Sequence, residues 1–241
     1  MSELISVCLP TYNLGENSIT YLKENLDSIN CQTYENIEIS ISDNSTDDIV
    51  KDFVKDYPFK KNIKVIYEKT DRGRGHSGVP NTNNAWDNST GDYIKSLPQD
   101  DKLQSEDALE LIVNCLRDNE WCAFKSVFQR GLSPDYFFTN GNFPQHSPTY
   151  PEALLQGLNY IGGPGSCAWR NCDIRLDESM RWLNDCDLYY RFWKMWGPMA
   201  IIDSNHPLVC IRDRQDALSN VIPDAEKALE VSTLINKHKN A

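Results

Sequence analysis

Two adjacent carboxylates, Asp100 and Asp101, close a strand-like run that starts at Tyr93 and passes through Ile94, Lys95, Ser96, Leu97, Pro98 and Gln99. Like charges side by side at the end of a buried strand repel each other and resist losing their water, so such a pair calls for a positive partner. A divalent cation carrying a phosphorylated ligand would supply one, because a hard ion takes carboxylate oxygens and leaves positions open for phosphate. The same two residues also fit a solvated turn ahead of a helix opened by Ser105. Two further polar clusters stand at the ends of apolar runs: Pro10-Thr11-Tyr12-Asn13, and the turn Asp43-Asn44-Ser45-Thr46-Asp47-Asp48. Gly73 to Gly78 matches G-x-G-x-x-G, but it follows the third strand signal and lacks a ribose-binding acid at the dinucleotide spacing. It fits a donor-side loop better, with Arg72 or Arg74 near phosphate or simply solvated.

These clusters need elements to hold them. Leu4 to Leu9 is a continuous apolar run, as in a strand covered on both faces. Ile19, Leu22, Leu26 and Ile29 have helical spacing. Ile37 to Ile41 is a second strand, followed by a helix to Asp56, and Ile63 to Tyr67 a third. A helix over 80 to 88, a strand from Tyr93 to Leu97, a helix from Ser105 to Arg117 and a strand from Trp121 to Phe128 complete the first 130 residues. Repeated strand–helix units predict an α/β fold with a mainly parallel sheet and helices on both faces. Ligands of such sheets bind at the carboxyl ends of the strands, where all three polar clusters fall. Residues 131 to 220 are less regular, with a short strand within 162 to 170 and an aromatic helix opened by Asn184 to Asp187. A last helix runs from Pro223 to about Lys237. It could pack on the domain, pair with another subunit or dock to a membrane surface.

A chain of 241 residues with 40% hydrophobic residues can bury one sizeable core. Its net charge of −11 argues against nucleic-acid binding, which needs a basic stripe. Eight cysteines without a CxxC pair fit a reduced, cytoplasmic protein, and Met1 to Ile5 shows no basic or long apolar leader.

One further set of residues completes a pattern. Ile5 to Asn13, Ser28 to Tyr34, Ser42 to Asp47, Asn83, Gly91 to Ile94, Leu176 to Met180, Asn184 to Leu188 and Arg191 resemble, in order and spacing, the inverting, metal-dependent glycosyltransferases of family 2 over roughly residues 4 to 215. The resemblance implies the GT-A fold, with residues 1–130 binding a nucleotide sugar, 131–220 carrying acceptor and base, and 221–241 a C-terminal helix. It implies Mn2+ or Mg2+ on Asp101, with Asp100 toward the donor ribose or sugar. Thr11 and Tyr12 would flank a uracil-like ring, Asp43 would accept its imide N–H, and Pro10, Asn13, Arg74 and Asn83 would line the donor site. Asp185 would be the general base, and Trp182 and Asn184 would meet the acceptor. The donor would be a UDP-sugar and the acceptor a glycan or lipid-linked glycan of a bacterial surface polysaccharide, handled at the inner face of the membrane. Four positions depart from the family pattern: Pro98 stands for the first metal-motif acid, Ser42 for the first acid of the second loop, Thr82 for Arg and Asn184 for Glu. The departures fit an alternative, a non-catalytic nucleotide-sugar-binding module. A nucleotidyltransferase would want a Gly-rich basic loop after the first strand, which Pro10 to Glu16 lacks.

Overall fold

A computed structural model describes residues 2–72, 78–137, 151–214 and 221–239. In chain order the elements are β1 (Ile5–Thr11), α1 (Ser18–Asn30), β2 (Ile37–Asp43), α2 (Ile49–Asp56), β3 (Lys64–Lys69), α3 (Val79–Asp87), β4 (Tyr93–Ser96), β5 (Lys102–Leu103), α4 (Ala108–Asp118) and β6 (Trp121–Phe124). Then follow β7 (Ser126–Arg130), β8 (Tyr136–Phe137), α5 (Glu152–Leu155), a 3-10 turn (Pro164–Ser166), β9 (Cys167–Arg170), α6 (Asn184–Trp196), β10 (Ala200–Ile202), β11 (Val209–Asp213) and α7 (Asp224–Lys239).

Seven strands form one sheet in the order β10-β6-β9-β4-β1-β2-β3. All its pairings are parallel except those of β9, which runs against β4 and β6. Alternation along each strand feeds two cores. Ile5, Val7 and Leu9 of β1 pack with Leu22 and Leu26 of α1, Val50 of α2 and Leu109 of α4 on one face. Cys8, Ile94, Trp121 and Trp169 pack with Trp86 of α3 and with Leu188, Tyr189 and Phe192 of α6 on the other. The aromatics of α6 are mainly core, as helical spacing implies. Leu234 of α7 is fully buried in this second core, so the last helix packs on its own domain.

Two boundaries differ from the sequence reading. The single strand expected over Trp121 to Phe128 breaks at Lys125, with β6 in the large sheet and β7 in a second sheet ordered β5-β11-β7-β8. Lys125 makes the break: its carbonyl accepts from Leu208 N–H at 2.9 Å and its ammonium donates to Ser204 O at 2.7 Å. The helix expected from Ser105 starts at Ala108, because Asp107 rather than Ser105 occupies the cap position. Among the described residues no helix is long and apolar enough to cross a membrane.

Candidate active site

Parallel pairing sets Thr11 opposite Asp43 at the carboxyl ends of β1 and β2. Thr11 is buried and its hydroxyl donates to Ser42 O at 3.2 Å. Asn81 of α3 crosses behind this edge, accepting from the Ser42 hydroxyl at 2.6 Å and donating to Thr11 O at 2.9 Å. The Asp43 carboxylate is fully buried. Its Oδ1 accepts from Ser45 N and Oγ at 2.9 and 2.5 Å, an Asx turn, while Oδ2 accepts from the Tyr67 hydroxyl at 2.6 Å. Both oxygens are thus taken up by protein donors. Asn13 ties the two turns together, its N–H donating to Ser45 Oγ at 2.9 Å and its amide to Asp47 at 2.7 Å. Pro10 is half-buried, whereas the Tyr12 ring is 47% exposed on the rim.

The β4 end is bound to the same edge. Gln99 accepts from Tyr12 N–H at 2.8 Å and donates to Ser18 Oγ at 2.9 Å. The acids that follow have different surroundings. Asp101 is nearly buried, and its Oδ1 accepts from Arg212 N–H at 2.9 Å. Arg212 lies under the turn, donating to Asp100 O at 3.2 Å, Gln129 at 3.0 Å and Glu24 at 2.8 Å, with its guanidinium 4.7 Å over the Tyr21 ring. Lys95, fully buried, donates to Ser96 O at 2.6 Å and Gly165 O at 2.7 Å. Burial, then the neighbouring Asp100 charge, push Asp101 well above the usual carboxylate range; burial pulls Lys95 down. Asp100 is the more open acid, with 22% of its side chain exposed and Arg214 at 3.1 Å.

This exposure runs opposite to the roles read from sequence: Asp101 anchors the turn, and Asp100 presents a carboxylate outward. Among the described residues no three His, Cys, Asp or Glu gather into a cage. Two hard carboxylates at a strand end still fit a divalent ion whose other positions fall to water and phosphate oxygens.

Asp185 sits in the first turn of α6. Its Oδ1 accepts from Cys186 N–H at 2.7 Å and its Oδ2 from the Asn159 amide at 2.7 Å. Burial raises its pKa to about 6 against the pull of these donors. Asn159 also donates to Gly162 O at 3.0 Å, and its own carbonyl accepts from Ile161 and Gly162 N–H at 2.9 and 3.0 Å. Gly162 has φ +97°, a conformation that excludes most side chains. Tyr189 of α6 donates to Gly162 O at 2.9 Å. The loop ends at Gly165, where an added Cβ would lie 3.1 Å from Asp101 Oδ2. One short stretch, residues 159–165, therefore bonds to Asp185 at one end and passes close to Asp101 at the other.

Other sequence-picked residues do different work. Asn83 is buried and clamps Leu176, donating to its O and accepting from its N–H, both at 2.9 Å, and so braces α3. Arg72 pairs with Asp87 at 3.0 Å and Glu178 at 2.5 Å; Arg74 and most of the Gly-rich loop lie outside the described residues. The Trp182 ring is half-buried with the Lys227 ammonium 5.4 Å from its centroid, and Asn184 donates to Arg181 O at 3.0 Å. Sequence reasoning passed over Lys95, Gln99 and Asn159. Only Lys95 left a signal, a charge inside a strand otherwise read as buried.

The sequence profile described as "Glycosyl transferase family 2" matches residues 6–175. The chain belongs to this family. Asp185 and α7 lie beyond the matched stretch. An uncharacterized glycosyltransferase of Rickettsia typhi is 26% identical over 205 residues, covering 80% of this chain and 60% of the relative. The chain thus spans about 60% of that relative's length. A Campylobacter jejuni protein named GalNAc(5)-diNAcBac-PP-undecaprenol beta-1,3-glucosyltransferase is 25% identical over 150 residues, 58% of this chain and 47% of that one. The crystal structure of Staphylococcus aureus TarS 1-349 in complex with UDP-GlcNAc superposes with a TM-score of 0.70 at 17% identity, over 96% of this chain and 65% of that one. The fold is GT-A.

Proposed function

We propose that this chain moves a sugar from a UDP-linked donor to a hydroxyl of a glycan acceptor, with inversion at the anomeric carbon. The observation that carries the reading is the 159–165 loop, which bonds to Asp185 at one end and backs Asp101 at the other. The reading takes Asp185, whose pKa is raised, and the acid pair as one site joined through this loop. The acceptor oxygen attacks the anomeric carbon as the carbon–oxygen bond to the diphosphate breaks; the bonding pair leaves with the diphosphate, and the hydroxyl proton passes to Asp185. Attack and departure on opposite faces invert the centre. Asp185 is mainly ionised above pH 6, so it is a proton acceptor at neutral pH. Tyr12 stacks on the nucleobase, with Pro10, Thr11 and Asn13 shaping its edge and Asp43 holding the adjoining turn. Asp100, backed by Asp101, would hold Mn2+ or Mg2+, whose charge would offset that developing on the departing diphosphate. A UDP-GlcNAc complex in a protein of the same fold and a relative named for a lipid-linked acceptor support a UDP donor and a lipid-linked glycan acceptor.

Thermal denaturation with UDP, GDP, CDP and dTDP, each with and without Mn2+, tests the donor half. Ligands of the native state raise its stability. UDP with Mn2+ is expected to give the largest rise, and no metal-dependent rise with any nucleotide would sink the reading. A chain that binds UDP but consumes no donor with any acceptor would instead be the non-catalytic module.

A further inference from the structure

Three consecutive backbone N–H groups just ahead of α6 converge on a single carboxylate. Arg181 donates to Glu230 Oε1 at 2.8 Å, while Trp182 and Leu183 donate to Oε2 at 2.9 and 2.8 Å. Free N–H groups at a helix start form an anion site, strengthened by the helix dipole. Here the occupant is the chain's own Glu230, 8% exposed and projected from α7.

The rest of α7 grips the same segment. Glu226 pairs with Arg181 at 2.8 Å, and Lys237 with Asp177 at 2.6 Å. Lys237 and His238 both reach Asp187 Oδ1 at 2.8 Å, and Asp187 is fully buried. These basic residues near the chain's end are therefore engaged within the fold. The contacts fall between Asp177 and Asp187, the stretch that starts α6 and carries Asp185 two residues past the cradle.

We propose that Glu230 is a positioning residue for sugar transfer: its carboxylate fixes the start of α6 so that Asp185 meets the acceptor hydroxyl. This rests on Asp185 being the base. Glu230 touches no reacting group and acts through the backbone. The Asp185 side chain is already oriented by Cys186 N–H and Asn159, so the placement of its backbone is the remaining freedom, and the cradle removes it. A shift of about 1 Å in a reacting group costs on the order of 100-fold in rate.

The test compares Glu230→Gln, Glu230→Ala and Asp185→Asn, using the UDP-sugar that the wild type consumes and UDP-induced thermal shift as the check on folding. Glu230→Gln, nearly isosteric, is expected to keep the UDP shift and the donor KM while kcat falls about ten-fold; Glu230→Ala should lose about 100-fold. Formate, small enough to enter the cradle, should restore part of the Glu230→Ala turnover and none in Asp185→Asn. A wild-type kcat in Glu230→Gln with only a lowered Tm would overturn the positioning role, as would equal losses in kcat and in UDP binding. Asp185→Asn separates the two readings. If it turns over normally, the base assignment fails. If it is inactive while both Glu230 variants keep wild-type kcat, only the positioning role fails.

Discussion

The side-chain amide of Asn159 donates to Asp185 at 2.7 Å, while its side-chain oxygen accepts from Ile161 N–H at 2.9 Å and holds the loop. The bond favours the ionised carboxylate, while burial opposes it and wins, leaving the pKa at about 6. As the proposed base works only when deprotonated, kcat/KM should rise with pH through about 6 and then level. Asn159→Leu removes a donor to the anion, so the limb should move to higher pH. A pH profile of both proteins checks this; an unmoved limb would exclude Asp185 as its source.

The same shift predicts a stability effect of known sign. A carboxylate with a raised folded pKa keeps a proton that the unfolded chain releases, so it lowers stability as pH rises from about 4 to about 6. Asp185→Asn removes that loss. Its Tm should exceed the wild-type Tm at pH 7 and match it near pH 4, while turnover falls by roughly 100-fold or more. Calorimetry at the two pH values and a donor-consumption assay are sufficient.

Asp100 and Asp101 should separate on substitution. Asp100→Asn removes the outward carboxylate and leaves the Arg212 anchor intact. Its Tm should hold while the Mn2+-dependent part of the UDP shift disappears. EDTA should remove the same part from the wild type and nothing further from Asp100→Asn. A full metal-dependent shift in Asp100→Asn would return the ion to Asp101.

The sheet and the convergence of three polar clusters at its edge were legible because strand periodicity and turn residues are local signals. The opposed exposure of Asp100 and Asp101 was not, because it depends on Arg212, over a hundred positions away, delivering its N–H to one of them. The clamp that Asn83 makes on Leu176 was not legible either, since sequence shows an amide but not its partners. Asn159 left no trace at all: a lone Asn in a loop gains meaning only once β9 and α6 bring its amide to Asp185. The break at Lys125 was written in the chain, a charge between two apolar runs, and was read through.

Gly91 should be intolerant of any side chain. A Cβ there would lie 2.8 Å from both Leu4 O and Ser6 N, backbone atoms of the β1 edge that cannot retreat without parting β1 from β4. Gly91 N–H also donates to Ser6 Oγ at 2.9 Å. Gly91→Ala is expected to lower stability by about 2 kcal/mol, an overpacking cost, with the urea midpoint lowered and donor KM little changed. A wild-type midpoint would show that the β1–β4 edge is softer than this packing implies.

The buried Lys95 and Asp101 should be coupled. Lys95 holds the carbonyls of Ser96 and Gly165, and it and the Asp101 carboxylate favour each other's charge. Lys95→Met leaves two carbonyls without a donor and one buried carboxylate less compensated, a loss of about 3 kcal/mol. Asp101→Asn removes Lys95's negative partner but also a carboxylate that burial itself disfavours, so it should cost less than Lys95→Met. Because each single change strands the other's charge, the double variant should lose clearly less than the sum, by about 1 kcal/mol or more. Urea denaturation of the four proteins closes the cycle. Additive losses would mean that Lys95 serves only the two carbonyls, and that the Asp101 carboxylate is stabilised by Arg212 alone.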